Sequence, residues 1–111
     1  MNKSFELIPI RNVDWKMENN LAVIVHKKNF SRLEKFLFKY LGGTEYIRRP
    51  LDKIGTKVWE LCDGKHNVLE ICKEMDSLFK EEIEPVVPRV TGFLKLLAER
   101  NYIIFKKPSE I

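Results

Sequence analysis

The stretch Leu51–Met75, LDKIGTKVWELCDGKHNVLEICKEM, has punctuation that leaves the chain little freedom. Asp52 can cap a helix running through Leu61, with Ile54, Val58 and Leu61 recurring at i, i+4, i+7 and Trp59 adding bulk on the same side. Asp63-Gly64 stops that helix and Asn67 caps the next, where Val68, Ile71, Cys72, Met75, Leu78 and Phe79 form an apolar stripe. The stretch therefore reads as two short helices joined by one tight turn. Gly55 sits inside the first helix at a cost of about 1 kcal/mol relative to Ala, which points to another backbone packed closely against it.

Other segments take their place around this pair. Val13, Trp15 and Met17 alternate with Asp14 and Lys16, the period of a half-buried strand. Glu18-Asn19-Asn20 supplies turn chemistry, and Leu21–His26 is β-branched enough to return as the second strand of a hairpin. Ser31 and Glu34 make a capping box for a short amphipathic helix on Leu33, Phe36, Leu37, Tyr40 and Leu41, which Gly42-Gly43 stops. Glu45–Arg49 reads as a third, edge strand closed by Pro50. A last helix begins at Pro85 or Val86, with Pro88 tolerated in its first turn, and shows a broad apolar face of Val86, Val87, Val90, Phe93, Leu94, Leu97 and Ala98. Asn101 ends it in a left-handed cap, and Tyr102–Phe105 is a final short strand.

The resulting expectation is an α+β fold of winged helix-turn-helix-like layout: an N-terminal three-stranded antiparallel sheet, three helices and a short C-terminal strand. Residues 1–12 are expected as an extended or poorly ordered arm, 13–106 as a single domain and 107–111 as a polar tail.

Chemistry-bearing residues are sparse. The order His26, Cys62, His66, Cys72 lacks the paired close spacings of structural zinc sites, so no metal is expected. There is no Gly-rich phosphate loop and no nucleophile–base pair, so neither a cofactor nor an enzymatic reaction is expected. The longest aliphatic run, Leu21–Val25, is far short of a membrane span, and the N-terminus has no apolar signal core, which makes the cytoplasm the expected compartment. The net charge of +4 is uneven: residues 1–50 carry ten Lys/Arg against five Asp/Glu, and residues 51–111 carry ten against eleven. An acidic partner should meet the N-terminal half first.

On Leu51, Asp52, Gly55, Trp59, Asp63, Gly64, Val68 and Ile71, the chain resembles the PqqD-like family, whose signature is Leu-Asp-x-x-Gly-x-x-x-Trp-x-x-x-Asp-Gly followed by a Val-x-x-Ile helix. Leu94, Leu97, Asn101, Tyr102 and Ile103 echo the family's later pattern, with Asn101 where Gly is usual. The resemblance implies a recognition element for ribosomally made precursor peptides. Such a peptide chaperone of natural-product biosynthesis holds the leader segment as an added β-strand beside its third strand, against its third helix. It presents the leader to a modifying enzyme, often a radical SAM protein.

Peptide clamping needs a free strand edge and an apolar trough. Glu45, Tyr46, Ile47, Arg48 and Arg49 offer the edge, with the arginines able to pair leader carboxylates or to guard the edge against aggregation. Val87, Val90, Thr91 and Leu94 fall near one line of the last helix and are the expected trough, with Lys95 at its rim. Leu51, Asp52, Gly55, Trp59, Asp63 and Gly64 are read as scaffold. The alternative is a winged-helix DNA-binding regulator, but Glu81–Arg100 holds three basic and four acidic residues, too few cations for a reading helix. A third reading, membrane-surface binding by the basic segment 27–41, yields to burial of its apolar face on the domain or a partner.

Overall fold

The computed structural model describes residues 3–27 and 46–108. The helix expected over Ser31–Leu41 and the strand residue Glu45 fall outside them. Strands β1 (Ile8–Arg11), β2 (Trp15–Glu18), β3 (Leu21–Lys27) and β4 (Tyr46–Pro50) precede helices α1 (Lys53–Leu61), α2 (Val68–Phe79) and α3 (Val86–Glu99). Strand β5 (Ile103–Lys106) follows them. The class is α+β, with three helices among the described residues.

The expected hairpin forms. Asn19 and Asn20 both take left-handed backbone, φ 53° and 67°, the pair of positive φ values a two-residue hairpin turn requires. That turn sets Trp15 opposite Ile24 and Met17 opposite Ala22. β4 adds to the other side of β3, giving an antiparallel sheet in the order β2-β3-β4. The sheet is tied to the helices through Ala22: its carbonyl accepts from the Leu51 N–H at 2.9 Å, and its N–H donates to the buried Thr56 hydroxyl at 2.9 Å.

The sheet architecture differs from the expectation in one respect. The last strand does not stand alone, and Ile8–Arg11, expected within an extended or poorly ordered arm, is a paired strand. β1 and β5 pair antiparallel as a second, two-stranded sheet, so the strands divide three and two. The other edge of β1 is stitched to the turn between α1 and α2: Arg11 N–H to Cys62 O at 3.0 Å, Gly64 N–H to Pro9 O at 3.1 Å, and Val68 N–H to Leu7 O at 3.0 Å. Neighbours cover β1 on both edges and Pro9 is fully buried, so the segment shows none of the alternation a half-exposed strand would. The topology stops at α+β and does not itself establish a winged helix.

Helix boundaries follow their caps. The Asp52 carboxylate accepts from Gly55 N–H at 2.7 Å at the start of α1. Asn67 and Glu70 exchange side-chain-to-backbone bonds of 2.8 Å each, a full capping box on α2. Asn101, φ 62°, ends α3 as expected, with Tyr102 N–H reaching back to Leu97 O at 2.9 Å. Gly55 makes room for a ring, not a backbone: a Cβ there would stand 3.3 Å from Phe93 Cζ and 3.0 Å from its own Asp52 cap. Between the helices, Gly64 (φ 81°) turns the chain beside Ile10. The core behind these elements centres on Trp59, Ile24, Ile71, Met75, Ile83 and Leu94, all fully buried.

The α1–α2 turn carries the fold's clearest electrostatic feature. Burial of Asp63 would raise its pKa, but a hydrogen bond from His66 (Nδ1 to Oδ1, 3.0 Å), the Lys65 N–H at 2.8 Å and the His66 charge outweigh it, holding the carboxyl below its ordinary value. A depressed folded pKa contributes stability that is full above the unfolded pKa and lost as pH falls through the folded one. Replacing Asp63 with Asn is therefore expected to flatten the acid limb of stability below about pH 4, measured by denaturant melts across that range. Asn67→Ala removes the capping box and is expected to cost about 1 kcal/mol at neutral pH, read by calorimetry as a lower midpoint.

Candidate peptide-binding cleft

The register of the larger sheet decides where its arginines point. Trp15, Ile24 and Arg49 are direct cross-strand partners, so they share one face, and Trp15 and Ile24 on that face pack into the helical core. Arg49 therefore stands on the helix side of β4. Arg48 lies on the opposite face, where its guanidinium is paired with the Glu18 carboxylate of β2. Arg49 is exposed and makes no ion pair with a described residue. Of the two arginines expected to meet a ligand, one is engaged within the sheet and the other is available.

Backbone alternation decides the edge. Leu51 and Ala22 form a hydrogen-bonded pair, so Arg49 and Ile47 also bond inward to β3, and the polar groups of Tyr46, Arg48 and Pro50 point outward. Proline at the outward position is compatible, because its missing N–H leaves no ladder bond broken. Among the described residues nothing pairs with that edge of β4.

The expected trough on α3 divides. Val90 and Leu94 are each 1% exposed and belong to the core, while Val87, at 40%, is open to solvent. Val90 also lines a pocket of about 160 Å³ on one flank of α3, together with Arg89 and Phe93. Its other wall is Asp52, Ile54, Gly55 and Val58 at the start of α1, where β4 delivers the chain, and Ile83 closes it. Leu94, Thr91 and Lys95 line a different cavity, of about 400 Å³, on the other flank. That cavity reaches Ala98 and Glu99 on α3, Val68 on α2, Phe105 on β5 and Leu7 just before β1. The structure thus does not bring Thr91 and Lys95 together with β4. The residues that α3 contributes to the pocket shared with Asp52, two positions after β4, are Arg89, Val90 and Phe93, and Arg89 donates to Glu82 O at 2.6 Å. Gly55 was the signal for this pocket: the side chain missing from α1 is the space that the Phe93 ring fills.

Trp59 is fully buried and meets Trp15 edge-on at 6.3 Å between centroids. Its indole N–H finds no partner among the described residues, so it serves as packing mass. The thiols are inert by environment. Burial pushes Cys62 up to about 12, against a smaller lowering by Arg11 and with a further rise from Asp63, and burial also raises Cys72. Among the described residues no group of His, Cys, Asp and Glu is placed to hold a metal ion, and no helix is long and apolar enough to cross a membrane.

Together these features define an α+β module in which, among the described residues, the outer edge of β4 is unpaired and α3 carries a pocket on each flank. Residues 40–103, more than half of the chain, match the family model of coenzyme PQQ synthesis protein D (PqqD), and the chain belongs to that family. No curated protein and no solved structure matches it. The resemblance read on Leu51–Ile71 is thereby established.

The thiol environments are directly checkable. Native protein at neutral pH is expected to leave both cysteines unreactive toward a disulfide exchange reagent, and unfolding in denaturant to release two. Rapid reaction of either in the folded state would contradict the burial described above.

Proposed function

We propose that this protein is a non-catalytic, cytoplasmic peptide chaperone that binds the leader segment of a ribosomally synthesised precursor peptide. The leader adds as a strand along Glu45–Arg49 and is presented to a modifying enzyme, a radical SAM protein being the kind its family membership favours. In this reading the helix-turn-helix-like arrangement of α1–α3 serves as a peptide platform rather than a DNA reader.

The observation that carries the reading is the open edge of β4, with Arg49 on its helix side and a small apolar pocket beside its exit. An added strand would exchange backbone hydrogen bonds with Tyr46 and Arg48. Every second side chain of that strand would then face the pocket between α1 and α3, where Phe93 and Ile54 offer apolar contact. Arg49 and Arg89, to either side, suit an acidic neighbour of the apolar anchor. Val87, Thr91, Leu94 and Lys95, which belong to the same helix, would feel the ligand through α3 rather than by touching it.

The test is a titration of isotopically labelled protein with the leaders of small peptides encoded near its gene. Backbone amide shifts are expected at Tyr46 and Arg48 and along Arg89–Phe93, and Arg49→Ala is expected to weaken binding about tenfold. Arg48→Ala should matter less, because its guanidinium is already committed to Glu18. Absence of a response to every such leader would overturn the reading. Binding to random duplex DNA with a steep salt dependence would favour the regulator instead.

A further inference from the structure

The smaller sheet has an open edge of its own. Asn12 N–H donates to Tyr102 O at 2.9 Å, which fixes Ile10↔Ile104 and Ile8↔Lys106 as the inward-bonded pairs of β1 and β5. The N–H and C=O groups of Ile103 and Phe105 therefore point away from β1, and among the described residues no strand pairs with them. Phe105 also belongs to the 400 Å³ cavity, with Leu7, Val68, Leu94 and Ala98 as the apolar walls. One residue thus joins an unpaired backbone edge to an apolar cavity. Leu7 and Phe105 lie outside the residues matched by the family model.

We propose that the outer edge of β5 and the cavity beneath α3 form a second strand-addition site, which takes an extended, acidic segment of another polypeptide. The unpaired edge selects the class of ligand, since an extended peptide backbone supplies the alternating donors and acceptors that Ile103 and Phe105 leave open. The cavity accepts one apolar side chain of that strand, on the face where Phe105 lies. Charge selects the rest: Lys95 lies on the cavity wall and Lys106 and Lys107 continue β5, with Glu99 the acidic residue among the lining. A second copy of the chain fits less well. Self-pairing of β5 would gather Lys106 and Lys107 of both copies in one ribbon, and β5 holds no acidic residue to offset them. This site is on the opposite flank of α3 from β4 and does not depend on the leader-binding reading.

The experiment titrates the labelled full chain with the synthetic peptide acetyl-Glu-Val-Glu-Leu-Glu-Val-amide, and separately with its counterpart carrying Lys in place of Glu. Shifts from the acidic peptide are expected at the amides of Ile103, Phe105 and Lys95, with none from the basic one. Ala98→Phe, which fills the cavity from the α3 wall, and the pair Lys106→Glu with Lys107→Glu are each expected to weaken binding at least about tenfold. In both variants, any response at Tyr46 and Arg48 to a leader should persist, so failure of one site is read separately from failure of the other. Should Ala98→Phe fail to fold, the lysine variant and the basic peptide still decide. Shifts confined to Tyr46 and Arg48, equal binding of both peptides, silence at Ile103 and Phe105, or loss of the response to competing duplex DNA would each overturn the proposal. So would a dimer by sedimentation that the lysine substitutions strengthen.

Discussion

Arg11 holds two consecutive strands, β1 and β2, against a helix some fifty residues further along the chain. Its guanidinium donates to the carbonyls of Trp59 at 2.9 Å and Glu60 at 2.8 Å, at the end of α1 where carbonyls lack intrahelical partners and a cation is favoured. The same group lies 5.1 Å from the centre of the Trp15 ring, and Trp15 meets Trp59 edge-on. One cation therefore joins β1, the β2–β3 hairpin and α1. Hydrogen bonds from a charged donor contribute about 1.5–3 kcal/mol each where they are shielded, and Arg11 is half-buried. With β1 fixed in this way, its free edge can receive β5, and Leu7 is set over the N-terminus of α2. The smaller sheet and the larger cavity both follow from that anchoring.

The geometry of α3 follows from the core it seals. Val90, Leu94 and Leu97, none more than 2% exposed, lock one line of the helix against the protein. The flanks to either side of that line are left to meet other surfaces. On one, Phe93 lies over Gly55 at the start of α1; on the other, Ala98 and Lys95 line a cavity with Phe105. Because the locked line is shared, both flanks are held by a rigid element, which is what a surface needs if it is to present a partner in fixed geometry. A substitution on one flank disturbs the other only if it reaches Val90 or Leu94.

Local signals in the sequence carried most of the helical part. Asp52, Asn67 and Asn101 mark helix ends through hydrogen bonds and backbone angles that any neighbouring structure would have to respect, so they are legible one at a time. The Asn19-Asn20 turn is legible for the same reason. Strand partnership is not local. Nothing in Ile8–Arg11 says that it meets Ile103–Lys106, and burial of Pro9 together with half-burial of Ile8, Ile10 and Arg11 erased the alternation that would have marked a strand. The division of the α3 trough between two flanks has a related reason. Spacing identifies residues on one side of a helix, but it does not say which neighbouring element that side meets. Thr91 and Lys95 share a flank as spacing requires, yet their neighbour is the sheet that the sequence did not announce.

Open edges invite unwanted pairing, and two of the edges left unpaired among the described residues carry cations: Arg48 and Arg49 with Pro50 on β4, and Lys106 on β5 with Lys107 after it. Guarding an edge and reading a ligand are usually weighed as rival roles for such residues. On these strands they are the same physical effect seen with two partners. A cationic edge repels another copy of itself and attracts an acidic strand, so one charge can oppose self-pairing and favour an acidic ligand. Position separates the two roles where charge does not. A guard works from either face of the sheet, whereas a reader must stand on the face that the ligand's anchored side chains enter. Arg48, on the outer face and neutralised by Glu18, meets only the first condition; Arg49, on the helix side, meets both.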